Sequence, residues 1–465
     1  MCIRDSADAS LRFNPFVDER ISGAPKQSAL LETFALYPTV DAISSIESID
    51  FTANGELFQL WGGPVRSALG ASYDRTRSRN TAVNFSAAAT PVRTVVDFVD
   101  ARNTKAFFGE LAVPVFGKPN ARPLLQRLEL TVAGRRDDFS DAGSSSVPKY
   151  GFSWVPVKTL LFRGSYSEGF RPPSLAEDRV ATANNTTFVQ DPLRGNTLSS
   201  FTMTRQTNPN LRPETSTNRF YGAVWEPAFA TGLTLQANYY DTVQRDAIQV
   251  LSLQAQIINA NIFPGTVVRN APSATDLANG WPGSLSRVFS QAVNFGTVRN
   301  ESMDLIAEYR LPWEQYGRWR ISLNAANTLK ATRELSPGII PVDDMGDTYA
   351  GPKWNTVSSL YWSRGSWNAM ASWSHLSGFA RNTSGVRPSS LTVPAVGKAD
   401  VRVGYEFKSG VWRHYGRGLM VNVGVANLFD KEPPFVDTIY GFNAGLHGLY
   451  VFGRTLELSF VLPIK

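Results

Sequence analysis

Segments in which apolar and polar residues alternate recur along most of this chain, from about residue 47 to the C-terminus. Clear examples are 128–132 (LELTV), 233–239 (LTLQANY), 421–425 (VNVGV) and 456–460 (LELSF). Because side chains of a β-strand point alternately to its two faces, each segment has one apolar and one polar face. The chain is therefore predicted to be all-β, with a shared outward apolar face that includes Leu233, Leu235, Val421, Val423, Leu458 and Phe460.

The connections between these segments are alternately short and long. Short links lie near 61–64, 155–157, 227–232, 312–317 and 363–366, with longer ones near 114–123 and 408–417. Polar stretches lie between them, near 80–100, 138–147, 171–213, 247–290, 332–351, 379–393 and 431–448. Structureless loops beyond about 15 residues are uncommon in compact soluble domains, whereas transmembrane barrels have short turns at one end and long loops at the other. The pattern favours a transmembrane antiparallel β-barrel.

The number of strands indicates how much of a barrel is present. About fifteen strands can be placed from residue 47 onward, and single-chain bacterial barrels have an even number. At least one strand is therefore expected before residue 47, and 30–37 (LLETFALY) is a candidate. This interpretation divides the chain into 1–46, an upstream remnant whose first six residues are suspected to be an artefact, and 47–465, the C-terminal portion of a barrel.

The composition of the chain argues against several other classes of protein. No apolar run reaches about 18 residues, so no transmembrane helix is expected, and residues 1–6 (MCIRDS) do not begin a signal peptide. Cys2 is the only cysteine, which rules out an intramolecular disulfide. The formal net charge of +6 is spread along 465 residues without a basic block, so no nucleic-acid partner is expected.

Tryptophans cluster beside the short links. Amphipathic rings prefer the headgroup level of a membrane, so these positions favour an interfacial girdle over ordinary turn packing. They are Trp61, Trp154, Trp225, Trp313, Trp319 and Trp412.

Three local blocks go beyond the general pattern. The first, 166–175 (YSEGFRPPSL), contains Gly169, Phe170, Arg171 and Pro172, and the second, 208–216 (NPNLRPETS), contains Asn208, Pro209, Leu211, Pro213 and Glu214. The third, 423–431 (VGVANLFDK), contains Asn427, Leu428 and Phe429, and GRT at 453–455 opens the last segment. In this order and spacing the blocks resemble those of TonB-dependent outer-membrane receptors.

The resemblance implies a specific fold and function. Receptors of this family have barrels of 22 strands, so about 15 of 22 would be present, while the plug domain and the TonB box have no counterpart here. The implied function is uptake across a Gram-negative outer membrane of a bulky nutrient such as a ferric siderophore, haem, cobalamin or oligosaccharide. The implied partners are the TonB complex, reached through the missing N-terminal region, and outer-membrane lipids with lipopolysaccharide. One departure is the C-terminus, which is not aromatic but reads VLPIK after Phe460.

The long loops supply the candidate binding residues. Arg171 and Glu214 stand at opposite borders of one loop, where they could form an ion pair or be solvated separately. Arginines beside aromatic residues would suit an anionic, ring-containing chelate. The candidates are Phe188, Arg194, Phe201, Arg205, Trp281 and Arg287. Packing of loop on loop, or contact with lipopolysaccharide, is the alternative role.

Nothing in the sequence supports an enzyme, a cofactor or a metal site. His375, His414 and His447 are far apart, the acidic residues Asp343, Asp344 and Asp347 lack calcium-loop spacing, and no nucleophile or phosphate-loop motif occurs. Two alternatives to a receptor stay open, a passive porin and a soluble all-β carbohydrate-binding protein. A complete porin should have an even number of strands, so the odd count of about fifteen argues against the porin. The lack of internal repeats argues against the soluble protein.

Overall fold

A computed structural model describes most of the chain beyond residue 38. The described residues are 39–85, 93–178, 183–208, 210–250, 253–294, 296–334, 341–345, 351–380, 392–408, 418–434 and 452–462. The possible strand at 30–37, the link at 409–417 with Trp412, and the block residue Pro209 lie outside them.

Strands account for most of the described residues. In chain order they are β1 (Thr39–Leu60), β2 (Gly63–Phe85), β3 (Arg93–Phe116), β4 (Arg127–Phe139), β5 (Gly143–Val157), β6 (Leu160–Arg171), β7 (Ala183–Asp191), β8 (Thr197–Arg205), β9 (Glu214–Trp225), β10 (Leu233–Arg245), β11 (Ile248–Val250), β12 (Val267–Arg269), β13 (Leu285–Ser290), β14 (Ala292–Asn294), β15 (Thr297–Leu311), β16 (Arg318–Arg333), β17 (Val342–Asp343), β18 (Trp354–Arg364), β19 (Trp367–Leu376), β20 (Phe379–Ala380), β21 (Thr392–Val393), β22 (Val396–Phe407), β23 (Leu419–Ala426) and β24 (Thr455–Val461).

Helices are few and short. They are α1 (Leu175–Asp178), α2 (Leu253–Ile258) and α3 (Ala274–Ala278), with 3-10 turns at Lys118–Asn120, Pro192–Arg194 and Glu314–Tyr316. No helix in the described part of the chain is long and apolar enough to cross a membrane.

Fifteen strands form one antiparallel sheet, here called the wall. Their order is β1-β2-β3-β4-β5-β6-β9-β10-β15-β16-β18-β19-β22-β23-β24, and β17 adds to the end of β16. This confirms the predicted count of about fifteen strands and their sequential pairing. The short links join strands at one end of the wall, the short-turn end, and the remaining connections all lie at the other, the long-loop end. Within the described residues β1 and β24 each pair with one neighbour only.

The two faces of the wall differ as the alternation predicts. In β23, Val423 is 56% exposed whereas the adjacent Asn422 is 9% exposed. Strand registers place Val423 opposite Val403 on one side and Leu458 on the other, so apolar residues continue across neighbouring strands. The same face carries Leu235, paired with Trp225, and Phe460, paired with Val421. The predicted outward set therefore shares one face of the wall.

Several strands are longer than the sequence predicts. The first begins at Thr39 rather than near 47, and β1, β2 and β3 contain 22, 23 and 24 residues. The predicted loop at 80–100 is mostly β2 and β3, and the one at 138–147 shrinks to a turn between Phe139 and Gly143. A strand needs only about 9–11 residues to cross a bilayer. These strands continue beyond the regular alternation, into segments where apolar residues such as Val40, Ile43 and Ile46 no longer follow a period of two.

The loops at 171–213 and 247–290 also differ from their prediction as structureless stretches. Together they fold into a four-stranded sheet in the order β12-β13-β8-β7, with β8 and β13 parallel. Phe201, Ile257, Leu285 and Val288 form a buried core beneath it. This unit, residues 183–205 with 253–290, is called the loop module. The short pair of β11 and β14 links it to the wall.

Candidate functional site

An ion cluster lies at the long-loop end, where the first two sequence blocks meet. Arg171 ends β6 and Glu214 begins β9, and the two residues are paired in the strand register. The Arg171 Nε donates to Glu214 Oε2 at 2.7 Å, and its Nη1 donates to Glu177 Oε2 at 2.9 Å. Of the two possibilities left open by the sequence, the ion pair is the one that forms.

Glu214 is the centre of this cluster. Only 5% of it is exposed, and besides Arg171 it accepts hydrogen bonds from the Gln244 side chain and the Ile248 backbone N–H. Burial alone would raise the pKa of Glu214, but the bonds from Arg171 and Ile248 outweigh burial and lower it below the usual range. The carboxylate therefore stays charged and holds the borders of both long loops together.

Neighbouring residues of the first block have packing roles. Phe170 stacks on Phe139 with ring centroids 5.7 Å apart. A Cβ on residue 169 would lie 2.4 Å from the Ser216 hydroxyl, so Ser216 would have to rotate to admit a side chain there. Pro172 follows the last ladder residue, where its missing N–H ends β6 without an unpaired donor.

Residues of the second block connect the wall to β14. The Asn208 side chain donates to the Ala292 carbonyl at 2.9 Å, and the Arg212 N–H donates to Asn294 Oδ1 at 2.7 Å. Asn294 in turn donates to the Arg212 carbonyl at 2.7 Å. Leu211 and Pro213, on either side of Arg212, are half-buried in this connection.

The third block is a closed turn at the same end of the wall. Asn427 adopts a positive φ of 53° and is 1% exposed. Its N–H donates to Asp400 Oδ1 at 2.7 Å, and its side chain bonds to the backbone of Lys431 in both directions. The Leu428 N–H donates to the Ala399 carbonyl, while Phe429 is exposed. All three blocks thus shape the long-loop end.

Two ion pairs join the halves of the loop module. Arg194 Nη2 donates to Asp276 Oδ1 at 2.7 Å, and Arg269 Nη1 donates to Asp191 Oδ2 at 2.7 Å. Both carboxylates are almost fully buried. Hydrogen bonds from Arg194 and from Ser273 lower the pKa of Asp276 to about 2. Each pair spans from one loop to the other, so the two loops form one body.

The six candidate residues divide into two groups. Arg194 pairs with Asp276, Phe201 lies in the module core at 4% exposure, and Trp281 packs on Gly195 of the other loop. These three make contacts within the module, and their part in ligand binding stays a prediction. The side chains of Phe188, Arg205 and Arg287 are exposed.

The residues that sequence reasoning missed are Asp191, Arg269 and Asp276. Asp276 had one local signal, since Ser273 and Asp276 form a capping box at the start of α3. Asp191 and Arg269 had no local signal, because their role depends on the ion pair that they form between the two loops.

One face of the module sheet is open to solvent. In the strand registers Phe188 pairs with Ser200, and Arg287 pairs with both Thr202 and Val268. Phe188, Leu198, Val268 and Arg287 therefore share a face, and all four are exposed. The Arg287 guanidinium lies 5.9 Å from the Phe289 ring centroid on the same face. A cation between apolar side chains can bind a flat anionic molecule by charge and stacking.

Possible metal ligands are scattered among the described residues. Within the described residues no three His, Cys, Asp or Glu side chains form a group that could hold a metal ion. His375 lies near the end of β19, and His414 and His447 lie outside those residues.

Comparisons with known proteins agree with this geometry. The ferric enterobactin receptor of Pseudomonas aeruginosa superposes with a TM-score of 0.58 at 14% identity, covering 91% of this chain and 54% of that chain. The ferric-catecholate import receptor Fiu of E. coli K12 gives 0.57 at 12% identity, covering 90% and 55%. At these identities the likeness concerns the fold alone.

The chain also has relatives that are similar in sequence. The heme/hemopexin utilization protein C of Haemophilus influenzae strain 86-028NP is 24% identical over 365 residues, which is 75% of this chain and 43% of the relative. The hemin receptor of Yersinia enterocolitica is 30% identical over 116 residues, 24% of this chain and 15% of the relative. The chain thus spans less than half the length of these relatives.

The antiparallel wall and the long-loop end are those of a receptor-type β-barrel. The chain belongs to the family described as TonB dependent receptor-like, beta-barrel, which it matches over residues 7–428. The family predicted from the sequence is confirmed. This family consists of transport receptors rather than enzymes. That the chain belongs to it favours a receptor over the two alternatives, a porin and a soluble binding protein.

Proposed function

We propose that this chain forms part of the barrel of an outer-membrane receptor that takes up an anionic, ring-bearing iron chelate, driven by the TonB complex. Haem is the first candidate, since the relatives matching three quarters of the chain are named for heme utilization. Contact with TonB would involve a region outside the wall. The long-loop end would face the outside of the cell and the short-turn end the periplasm.

The observation that carries the proposal is the open face of the loop module in a chain of this family. Phe188, Leu198 and Val268 offer an apolar surface and Arg287 offers a cation. The ion pairs from Arg194 and Arg269 keep that face in one arrangement. Such a preorganised face lowers the entropic cost of binding.

Uptake by the full-length receptor would test the energy source. The receptor would be expressed in iron-starved cells without other haem uptake, with and without TonB, and growth on haem would be measured. Growth is expected to need TonB, while haem binding to the cell surface should not. Growth that persists without TonB would instead indicate a passive porin.

A second experiment tests the module face. Replacing Phe188 by Ala together with Arg287→Gln should weaken surface binding of haem by roughly tenfold, since one stacking contact and one charge contact are lost. Leu277→Ala is the matched control, because Leu277 is also an exposed apolar residue of the module but lies in α3. An equal effect of both variants would remove the face from the binding site.

A further inference from the structure

The outward face of the wall has a shallow groove between β3 and β4. Gly109 and Gly134 are opposite each other in the strand register, so two neighbouring positions carry no side chain. Leu69, Phe107 and Pro148 border the resulting groove, whose volume is about 510 Å³. Leu69 and Phe107 are each more than half exposed. The groove is therefore an apolar channel on the surface that contacts membrane lipid in barrels of this family.

Cations stand directly beyond this groove, toward the long-loop end. Arg136 of β4 is opposite Phe107, Lys105 of β3 is opposite Tyr73, and Arg75 follows Tyr73 by two positions on β2. Each cation is a diagonal neighbour of the next, at a spacing of about 7 Å. Arg75, Lys105 and Arg136 are called the cation row.

The row follows the upper limit of the apolar band. That limit lies at Val132 on β4, Phe107 on β3 and Tyr73 on β2, so it rises by two side-chain positions from β4 to β3 and by one from β3 to β2. Barrel strands are tilted by about 35–45°, so a plane parallel to the membrane crosses them diagonally. The three cations therefore lie at about one height, just above the hydrocarbon.

Within the described residues two members of the row form no ion pair, although Asp138 is opposite Lys105 and Glu47 is opposite Arg75 in the strand registers. Among the described residues neither Arg75 nor Lys105 has a carboxylate within 4.0 Å, although Arg136 approaches Asp138 at 3.5 Å. The other nearby carboxylate on this face, Glu47, lies 3.8 Å from Arg77 instead. Four cations thus face two carboxylates, which leaves an excess positive charge beside an apolar groove.

We propose that the groove and the cation row bind a phosphorylated glycolipid of the outer leaflet, of the lipopolysaccharide type. One acyl chain would lie along Gly109 and Gly134, and the phosphate groups would contact Arg136, Lys105 and Arg75. Phosphate accepts several charge-assisted hydrogen bonds from such a row. The proposal shares with the proposed function only the orientation of the long-loop end toward the outside of the cell.

The test uses the full-length receptor purified in detergent, with lipid binding measured by native mass spectrometry. The probes are diphosphoryl lipid A, dephosphorylated lipid A and phosphatidylethanolamine. The triple variant Arg75→Gln, Lys105→Gln, Arg136→Gln should lose affinity for diphosphoryl lipid A by about fivefold for each cation removed. Dephosphorylated lipid A and phosphatidylethanolamine should bind weakly to both proteins.

Two further variants separate charge from groove. Lys118→Gln, Arg122→Gln, Lys158→Gln removes the same charge from exposed positions at the short-turn end and should leave lipid A binding unchanged. Gly134→Leu should weaken it, because a Cβ at that position meets no atom within 4 Å and the added side chain would extend into the groove. Equal losses in both triple variants, or equal binding of all three lipids, would overturn the proposal. Haem binding should be unchanged throughout, so its loss alone bears on the proposed function.

Discussion

The wall and the loop module are stabilised in opposite ways. The wall turns apolar side chains such as Leu458 and Phe460 outward, so its strands are held by the backbone ladder and by the lipid around them. The module buries its apolar side chains, with Ile257 and Val288 at 0% exposure, and adds ion pairs between its loops. It is built like a small water-soluble domain. The module should therefore open without loss of the wall, and the wall should fail by changes that leave the module intact.

The largest effect is expected from breaking the buried pair of Arg269 and Asp191. Arg269→Ala leaves the Asp191 carboxylate uncompensated at 0% exposure, which costs about 3–5 kcal/mol. The free energy of opening measured by hydrogen exchange in β7, β8, β12 and β13 should fall by that amount. The exchange rates of β18 and β19 should not change. Equal destabilisation of module and wall would mean that they are not separate cooperative units.

A slightly smaller effect is expected from the module core. Ile257→Ala should reduce the free energy of module opening by about 2–5 kcal/mol, the usual result of a cavity in a core. Leu198→Ala removes an apolar side chain that is 71% exposed and should change it by less than about 0.5 kcal/mol. Limited proteolysis of the module reports both. Similar rates for the two variants would contradict the core assignment.

The wall offers a matched test within one strand. Leu130 points to the apolar face and is paired with Phe152, whereas Thr131 points to the polar face and is paired with Gly151. Leu130→Arg should destabilise the folded barrel in lipid by about 2–4 kcal/mol, and Thr131→Arg should have little effect. Urea titration of the receptor in liposomes would measure this. A larger effect at Thr131 would reverse the assignment of the faces.

The smallest effect is a pH dependence confined to the module. The pKa of Asp276 is about 2 in the fold against an ordinary 3.8. Its stabilising contribution is thus complete above about pH 4 and is lost as pH falls toward 2. Protease sensitivity of the module should rise over that range in the wild type. In Asp276→Asn the module should be weakened already at pH 7, without that added rise.

The wall could be predicted from the sequence because its rule is local. Alternation at 233–239 and 421–425 needs only the neighbouring residue to show which face is apolar. The module could not, because its strands are short and pair with distant partners. The three-residue β12 and the six-residue β13 are too short to show alternation of apolar and polar residues. In addition, β13 pairs in parallel with β8, from which β9 and β10 separate it in the sequence.

The same limit applies to the site. The pair of Arg171 and Glu214 could be anticipated because both residues border a single loop. Arg194 and Phe201, however, appear in the sequence as a cation and an aromatic ring in a polar stretch. Nothing local shows that one meets Asp276, 82 residues away, or that the other meets Ile257 and Val288. Burial, rather than residue type, separates them from Phe188 and Arg287.

The parallel pairing of β8 with β13 also sets the order of events during folding. The two strands come from loops on either side of the β9–β10 hairpin, and the Gln206 side chain bonds to Gln291 at a separation of 85 residues. Contacts of such long range form late, because the entropy of closing a long loop must be overcome before they are made. The pairing of β8 with β13, which completes the module, is therefore expected only after β9 and β10 have joined the sheet. A refolding barrel should gain its strand signal first and the protection of Phe201 and Val288 in a separate, slower phase.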